Sequence, residues 1–161
     1  MAQNDIIEKS VFDSKTEQTY LLMSQHINGS GRLFGGQLLS WIDELAGIVA
    51  MRHSGGNVIT ASIDNLQFKR GAHLNDILVL IGRITYVGNS SMEVRIDTYV
   101  EEVDGKRLPI NRAYFVMVAL DDNEAPKTVP RLKIETPEQQ AEWEAAVKRH
   151  ILRKQRKEEG Y

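Results

Sequence analysis

Asp43 is the residue best suited to chemistry, because it interrupts a segment that is otherwise almost entirely apolar. Residues 37–52 read QLLSWIDELAGIVAMR. Apolar residues recur there at the spacing of one helix face, at Leu38, Ile42, Leu45 and Val49. Asp43 falls instead among small residues on another face. An apolar helix is predicted to be buried, and a buried carboxylate needs a partner. Asp43 is therefore predicted to act as a general base, and the alternatives are that it caps a neighbouring loop or pairs with an arginine.

The segment before this helix is rich in glycine. The glycines are Gly29, Gly31, Gly35 and Gly36. Backbone N–H groups at a helix N-terminus can bind an anion or stabilise an oxyanion. A tight turn that packs the helix on a sheet is the alternative. Two phosphate-loop motifs are excluded, since Gln37-Leu38 replaces the required Lys-Ser/Thr and Phe34 replaces a needed glycine.

The elements that must position these residues are predicted in the order strand, helix, four strands, helix. Residues 1–15 are polar and predicted to be loose at the start. The predicted strands are 17–23, 58–68, 76–87, 91–101 and 108–120. The first helix is predicted over 37–52, and the glycine stop His53-Ser-Gly-Gly ends it. Short turns at Gly88-Asn89 and Asp104-Gly105 imply an antiparallel sheet. One long helix against an antiparallel sheet is an α+β fold.

A second helix is predicted from a cap at Thr136 to about Lys157. Pro137 takes its first helical position, and Gln139 completes a capping box. The helix is acidic early and basic late, which suits the helix dipole. A solvated, well-capped helix and a functional basic patch are both consistent with this pattern.

Composition excludes several classes of protein. The chain has 161 residues, no cysteine and a net charge of -2, which predicts one domain over 1–161 and no nucleic-acid partner. The N-terminus lacks the apolar core of a signal peptide, and no apolar run approaches the roughly 18 residues of a membrane span. We expect a soluble, cytoplasmic protein. The four histidines show no metal-ligand spacing, although His26 is either a base or a structural residue.

Residues 26–43, HINGSGRLFGGQLLSWID, closely resemble the signature of the hot-dog-fold acyl-CoA thioesterases. The similarity extends through residues 60–68 and 89–94 and covers roughly 16–125. It implies a curved antiparallel sheet wrapped round one long helix. It also implies hydrolysis of acyl-CoA to a carboxylic acid and coenzyme A, without metal or redox cofactor. In this family two subunits pair edge to edge with active sites between them, commonly as three such dimers in a hexamer.

The resemblance also implies a role for each site residue. Asp43 would be the general base or the nucleophile at the thioester carbonyl. Asn28 would help to hold water and substrate, and the N–H groups near Gly35 and Gly36 would polarise the thioester oxygen. Thr60 from the partner subunit would orient the water.

Coenzyme A would meet backbone along residues 58–64, which includes Ala61 and Ser62. Its phosphates would meet basic or polar groups at the rim. The candidates are Lys69, Arg70, Arg83, Asn89, Ser90 and Ser91. For Arg70 and Arg83, a solvated strand-end charge is the alternative.

Two other functions fit the same fold. A hydratase or dehydratase would use a histidine with an acid, but the helix has no histidine before its terminal His53. A non-catalytic acyl-CoA sensor would not need a carboxylate at the thioester.

Overall fold

A computed structural model describes residues 7–161, except for the side chain of Asn65. The elements in chain order are β1 (Glu8–Ser10), α1 (Val11–Ser14), β2 (Thr16–Leu21), α2 (Gly35–Ser54), β3 (Asn57–Phe68), β4 (Ile77–Val87), β5 (Ser91–Glu101), β6 (Arg107–Leu120), β7 (Arg131–Lys133) and α3 (Pro137–Glu159). The predicted order of the main elements is confirmed, with strand ends within two residues. None of the described helices is apolar over a stretch long enough to cross a membrane.

The main sheet has five strands in the order β2-β4-β5-β6-β3, and every neighbouring pair is antiparallel. Helix α2 contacts all five strands, so the sheet wraps round it. Strands β2 and β3 form the two edges. Strand β3 carries both the predicted coenzyme A contacts and Thr60, and its outer backbone edge has no neighbouring strand within residues 7–161.

The core lies between α2 and the inner face of the sheet. The predicted apolar stripe is fully buried there, at Leu38, Ile42, Leu45 and Val49. Gly82 of β4 permits this close packing. A Cβ atom at Gly82 would lie 2.8 Å from the Ile96 side chain and 3.0 Å from that of Val49. The helix is therefore seated directly on the sheet backbone.

Helix α2 is longer than predicted, with Phe34 at its N-cap and Gly55 at its C-cap. Gly55 has a φ of 76°, the left-handed conformation of a glycine stop. The expectation that the whole helix is buried was wrong. Asp43 and Glu44 are exposed in the single chain, because the sheet covers only one side of α2.

Helix α3 packs on the outer face of the sheet. The hydroxyl of Thr136 accepts a hydrogen bond from the N–H of Gln139, as the predicted cap requires. Most residues of α3 are exposed, as expected for a solvated helix, but Arg149 and Arg153 are partly buried and bind the buried carboxylate of Glu93. Glu93, Arg95 and Asp97 alternate with apolar residues along β5, and all three form ion pairs, with Glu93 and Arg95 bound to residues of α3.

The segment 1–15 is not loose where it is described. Strand β1 pairs in parallel with β7, and α1 begins with a capping box between Ser10 and Asp13. That short box was a sequence signal for α1. The first six residues of the predicted domain lie outside the described residues.

Candidate active site

Asp43 and Thr60 form a hydrogen-bonded pair between the central helix and the edge strand. The hydroxyl of Thr60 donates to Oδ1 of Asp43 over 2.7 Å. The same hydroxyl oxygen lies 3.5 Å from Sδ of Met117, the residue opposite Thr60 on β6. Thr60 thus restrains one carboxylate oxygen and leaves the other without a side-chain partner among the described residues.

A β-bulge in β3 orients the side chain of Thr60 towards α2. Thr60 pairs with Met117 and Ser62 pairs with Val116, so Ala61 is the extra residue in β3. Bulges redirect side chains and are frequent next to active sites. The bulge lets Thr60 face the buried side of the sheet while Ser62 lies alongside partly exposed Val116.

The structure corrects one expectation for Asp43 and removes one alternative role. The carboxylate is exposed in the single chain rather than buried. No arginine or lysine pairs with Asp43 anywhere in the described part of the chain, and its one side-chain partner is Thr60. An open carboxylate without a cation can accept a proton from a nearby water molecule.

The resemblance implied that Thr60 comes from a partner subunit, and the geometry corrects this point. The Thr60–Asp43 hydrogen bond is formed within one chain. Both residues are brought together by the packing of α2 against β3.

The N-terminus of α2 is open to a ligand. Phe34, at the N-cap, has no side-chain oxygen to offer, and within residues 7–161 no acceptor meets the N–H groups of Gly35 and Gly36. Asn28 lies beside them. Its Oδ1 accepts from the N–H of Ser30 over 3.0 Å and the N–H of Arg32 over 3.2 Å. The amide nitrogen of Asn28 has no partner among the described residues and remains a donor.

A cavity of about 280 Å³ lies at this helix end, lined by Asn28, Gly35, Lys69 and Arg70 among others. Arg32 also lines it. No acid pairs with these three cations in the described structure. Together with the positive end of the helix dipole they make the cavity electropositive. Sequence reasoning missed Arg32, although it lies inside the glycine-rich loop.

The two halves of the predicted machinery are separated within one chain. Gly36 and Asp43 are seven residues apart on α2, which is about 10 Å along a helix axis. An oxyanion donor must lie about 3 Å from the reacting oxygen. The structure therefore joins Asp43 to Thr60, and Asn28 to Gly35, but does not bring these two pairs to one carbonyl group.

The residues predicted to contact coenzyme A also lie in separate parts of the structure. Ala61, Ser62 and Ser91 line a second cavity of about 780 Å³ beside α3. Asn89 and Ser90 lie in the β4–β5 turn, where their carbonyl groups accept from the N–H groups of Val129 and Ala119. They line neither of the two cavities.

Arg83 is not at a rim, which corrects its predicted role. Its guanidinium group is largely buried and binds Glu142 of α3, and it lies 3.5 Å from Asp97. Burial alone would lower the pKa of Arg83, but the hydrogen bonds that Arg83 donates to Glu142, together with the negative charges of Glu142 and Asp97, outweigh burial and raise the pKa. Arg83 therefore connects α3 to the sheet through its ion pair with Glu142.

His26 has a structural role rather than the role of a catalytic base. Its Nδ1 accepts from the N–H of Met23 over 3.0 Å, and its ring packs edge-on against Trp41 at 4.9 Å between centroids. Across residues 7–161, no cluster of three or more histidines and acids is arranged to hold a metal ion.

Comparison with known proteins identifies relatives. A sequence profile of the thioesterase superfamily matches residues 30–105. The chain is 37% identical over 146 residues to "Uncharacterized acyl-CoA thioester hydrolase YkhA" of Bacillus subtilis, covering 90% of this chain and 85% of that protein. It is 31% identical to the "Cytosolic acyl coenzyme A thioester hydrolase" of Mus musculus, covering 80% of this chain but 34% of that protein.

Solved structures agree with this assignment. An apo-hexameric acyl-CoA thioesterase superposes with a TM-score of 0.90 at 38% identity, covering 94% of this chain and 97% of that chain. A second structure is an acyl-CoA hydrolase from Staphylococcus aureus in complex with butyryl coenzyme A, coenzyme A and coenzyme A disulfide. It superposes with a TM-score of 0.90 at 35% identity, covering 94% of this chain and 93% of that chain. Structures also exist of that hydrolase with its own Asp43, Asn28 or Thr60 changed to alanine.

The fold is therefore the hot-dog fold, and the site is of the thioesterase class. The chain belongs to the acyl-CoA thioester hydrolase family. The resemblance seen in the sequence is confirmed at the level of fold and family.

Proposed function

We propose that this protein hydrolyses acyl-CoA thioesters to a free carboxylic acid and coenzyme A. The observation that carries the proposal is the Thr60–Asp43 hydrogen bond, which holds an exposed, cation-free carboxylate in one orientation. Such a group is equipped for general-base or nucleophilic work on an acyl carbon. The names of the relatives support the same reaction.

In the general-base route, Asp43 removes a proton from water as that water attacks the thioester carbonyl. In the nucleophilic route, Asp43 attacks directly, and water then hydrolyses the resulting mixed anhydride. In both routes the carbonyl oxygen becomes negative, and the free N–H groups of Gly35 and Gly36 are suited to stabilise it. The sulfur leaves as coenzyme A thiolate and takes up a proton. The reaction is redox-neutral and, as proposed, uses no cofactor.

A complete site in this proposal requires two chains. Asp43 and the N–H groups of Gly35 and Gly36 lie about 10–12 Å apart along α2, so a single chain cannot apply both to one carbonyl. We place the Asp43–Thr60 pair of one chain opposite Asn28 and Gly35 of a second chain. The substrate then lies between subunits.

The unpaired edge of β3 supports this pairing. An exposed edge strand is a template for another strand. Ile59, Ile63 and Phe68 of β3 are 49%, 39% and 53% exposed in the single chain, although all are large and apolar. Two copies of β3 running antiparallel would cover these side chains and continue the sheet. Three such dimers would form a hexamer, the assembly named for one structural relative.

Five of the residues predicted to contact coenzyme A line a cavity and remain in the proposal. Lys69 and Arg70 face the electropositive cavity, while Ala61, Ser62 and Ser91 face the larger one. We also propose a cytoplasmic location, as for the cytosolic mouse relative.

Release of free thiol tests the proposal. The wild-type protein should release coenzyme A from at least one member of a panel of short, medium and long acyl-CoAs. Asp43→Asn should lower kcat by about a hundredfold or more. Glu44→Gln is the matched control, since it removes a neighbouring exposed carboxylate from the same helix and should retain activity. Binding of acyl-CoA without any thiol release would identify a sensor instead, and hydration of an enoyl-CoA without thiol release would identify a hydratase.

A further inference from the structure

Met117 of β6 contacts the hydroxyl group that holds Asp43. It lies opposite Thr60 in the register of β3 and β6, and its Sδ atom is 3.5 Å from the hydroxyl oxygen of Thr60. The same hydroxyl donates to Oδ1 of Asp43 over 2.7 Å. The hydroxyl of Thr60 therefore lies between a carboxylate oxygen and a thioether sulfur, and the proposed reaction uses only the carboxylate.

The sulfur of Met117 is placed by the fold and shielded from water. Met117 is only 2% exposed, whereas Thr60 and Asp43 are both exposed in the single chain. Residues opposite each other on antiparallel strands have Cβ atoms about 4.5–5.5 Å apart, so an unbranched methionine side chain reaches the threonine hydroxyl. A thioether sulfur is a weak hydrogen-bond acceptor. Sδ of Met117 is thus a second acceptor for the proton that Thr60 donates to Asp43.

The two acceptors behave differently during the proposed reaction. In the general-base route Asp43 begins as a charged carboxylate, and a hydrogen bond to a charged acceptor is roughly twice as strong as one between neutral groups. Asp43 becomes a neutral acid when water gives it a proton and attacks the thioester carbonyl. The hydrogen bond from Thr60 then loses its charge assistance, whereas the sulfur of Met117 is the same acceptor before and after this step.

This difference gives the sulfur a function in the proton transfer. As Asp43 is neutralised, the Thr60 hydroxyl can turn its proton towards Sδ of Met117, because a hydroxyl hydrogen rotates about the C–O bond. The proton taken from water stays on Asp43 until it passes to the leaving thiolate, and the oxygen of that water joins the acyl carbon. Thr60 and Met117 change only their hydrogen bonds and exchange no atoms with the substrate.

We infer that Met117 is a positioning residue for the proposed hydrolysis, whose sulfur accepts the Thr60 hydroxyl proton when Asp43 becomes neutral. This inference rests on the proposed function and on its general-base route. Met117 acts through Thr60 and not on the substrate. A methionine needed only for packing can be replaced by leucine without loss of rate, whereas a methionine needed as an acceptor cannot.

Replacement of Met117 by leucine separates these two roles. Met117→Leu nearly preserves the side-chain volume, so the fold should persist, but it removes the sulfur. We expect kcat for thiol release from an acyl-CoA to fall about threefold with KM unchanged, because a weak hydrogen bond is lost only during proton transfer.

Met92→Leu is the matched control for this substitution. Met92 of β5 is fully buried and pairs with Met117 across the sheet, yet no hydrogen bond joins it to Thr60 within the described residues. The Met92→Leu variant should therefore retain the wild-type kcat. An unchanged kcat in Met117→Leu, or an equal fall in both variants, would overturn the inference.

A double variant tests whether Met117 acts through Thr60. Thr60→Val leaves no hydroxyl proton for the sulfur to accept, so adding Met117→Leu should lower kcat no further than Thr60→Val alone. Two effects that multiply would assign Met117 a packing role and contradict the inference.

Methyl NMR of protein labelled with [methyl-13C]methionine gives a readout that needs no turnover. The Met117 signal should move when the protein is acidified enough to protonate Asp43, because the hydroxyl proton then turns to Sδ. The movement should be absent in Thr60→Val and retained in Glu44→Gln, which removes the adjacent acid of α2. A movement that survives in Thr60→Val would overturn the inference. If the wild-type protein released no thiol from any acyl-CoA, the proposed function would fail, whereas the NMR comparison would still test the second acceptor.

Discussion

The hydroxyl of Thr60 donates a 2.7 Å hydrogen bond to Oδ1 of Asp43. This contact joins the edge strand β3 to the central helix α2 at a bulge. It holds a carboxylate that no cation restrains in the described structure. The hydrogen bond therefore makes Thr60 responsible for the orientation of Asp43.

Replacement of Thr60 by valine tests that dependence. Thr60→Val preserves the shape of the side chain but removes the donor, so we expect kcat for thiol release to fall about tenfold. Thr60→Ser retains the hydroxyl and should recover most of the rate. Wild-type kcat in the valine variant would show that Asp43 needs no such restraint.

Mixing two inactive variants tests whether active sites are shared between chains. Asp43→Asn and Asn28→Ala should each be nearly inactive alone. If each site takes Asp43 from one chain and Asn28 from the other, a mixed dimer has one intact site. Co-refolding equal amounts should therefore restore about one quarter of the wild-type sites. Thiol release from the purified mixture measures this, and no recovery despite proven mixed dimers would contradict a shared site.

A charge on the exposed edge strand should prevent self-association. Ile59→Lys places a cation on β3, and lysine on an edge opposes strand pairing. Sedimentation velocity should show a smaller species than for the wild-type protein. Val103→Lys is the control, because Val103 is fully exposed in the β5–β6 turn, away from either edge. Equal effects of the two substitutions would argue against β3 as the interface.

His53 should make stability fall in acid. Burial lowers the pKa of His53, which is only partly offset by its hydrogen bond to the carbonyl oxygen of Pro130. Its Nδ1 is buried without a partner in the described structure. As the pH falls below about 6.5, the unfolded chain binds a proton that the folded chain resists, so the free energy of unfolding decreases. Above that pH the contribution is constant.

Urea denaturation at pH 7.5 and pH 5.5 measures this effect. The wild-type midpoint should drop on acidification, and His53→Gln should drop less, because glutamine offers a donor to Pro130 but does not titrate. An identical drop in both proteins would assign the acid sensitivity to other groups.

Local sequence signals predicted most of the fold. Periodicity located α2 and the five long strands, while Gly55 and Thr136 marked helix ends that the structure contains. The motif around Asp43 predicted the family correctly. These features depend on neighbouring residues, so they can be read from a single sequence.

The errors arose where distant segments meet. The alternation of Glu93 with apolar residues on β5 gives no sign that α3 buries this carboxylate against Arg149 and Arg153. Arg83 looked like a rim cation, yet it binds Glu142. In both cases a helix more than 40 residues further along the chain supplies the partner.

The sequence by itself determined the helix that carries Asp43, the glycine-rich start of that helix and the family to which both belong. Only the tertiary structure decided that Thr60 of the same chain holds Asp43, that Asp43 is exposed, and that the N–H groups of Gly35 and Gly36 lie too far along α2 to join it. The reason is physical. Helix and strand periods arise from local backbone geometry, whereas the distance between two side chains depends on strand register, a single bulge and the packing of α2 on β3.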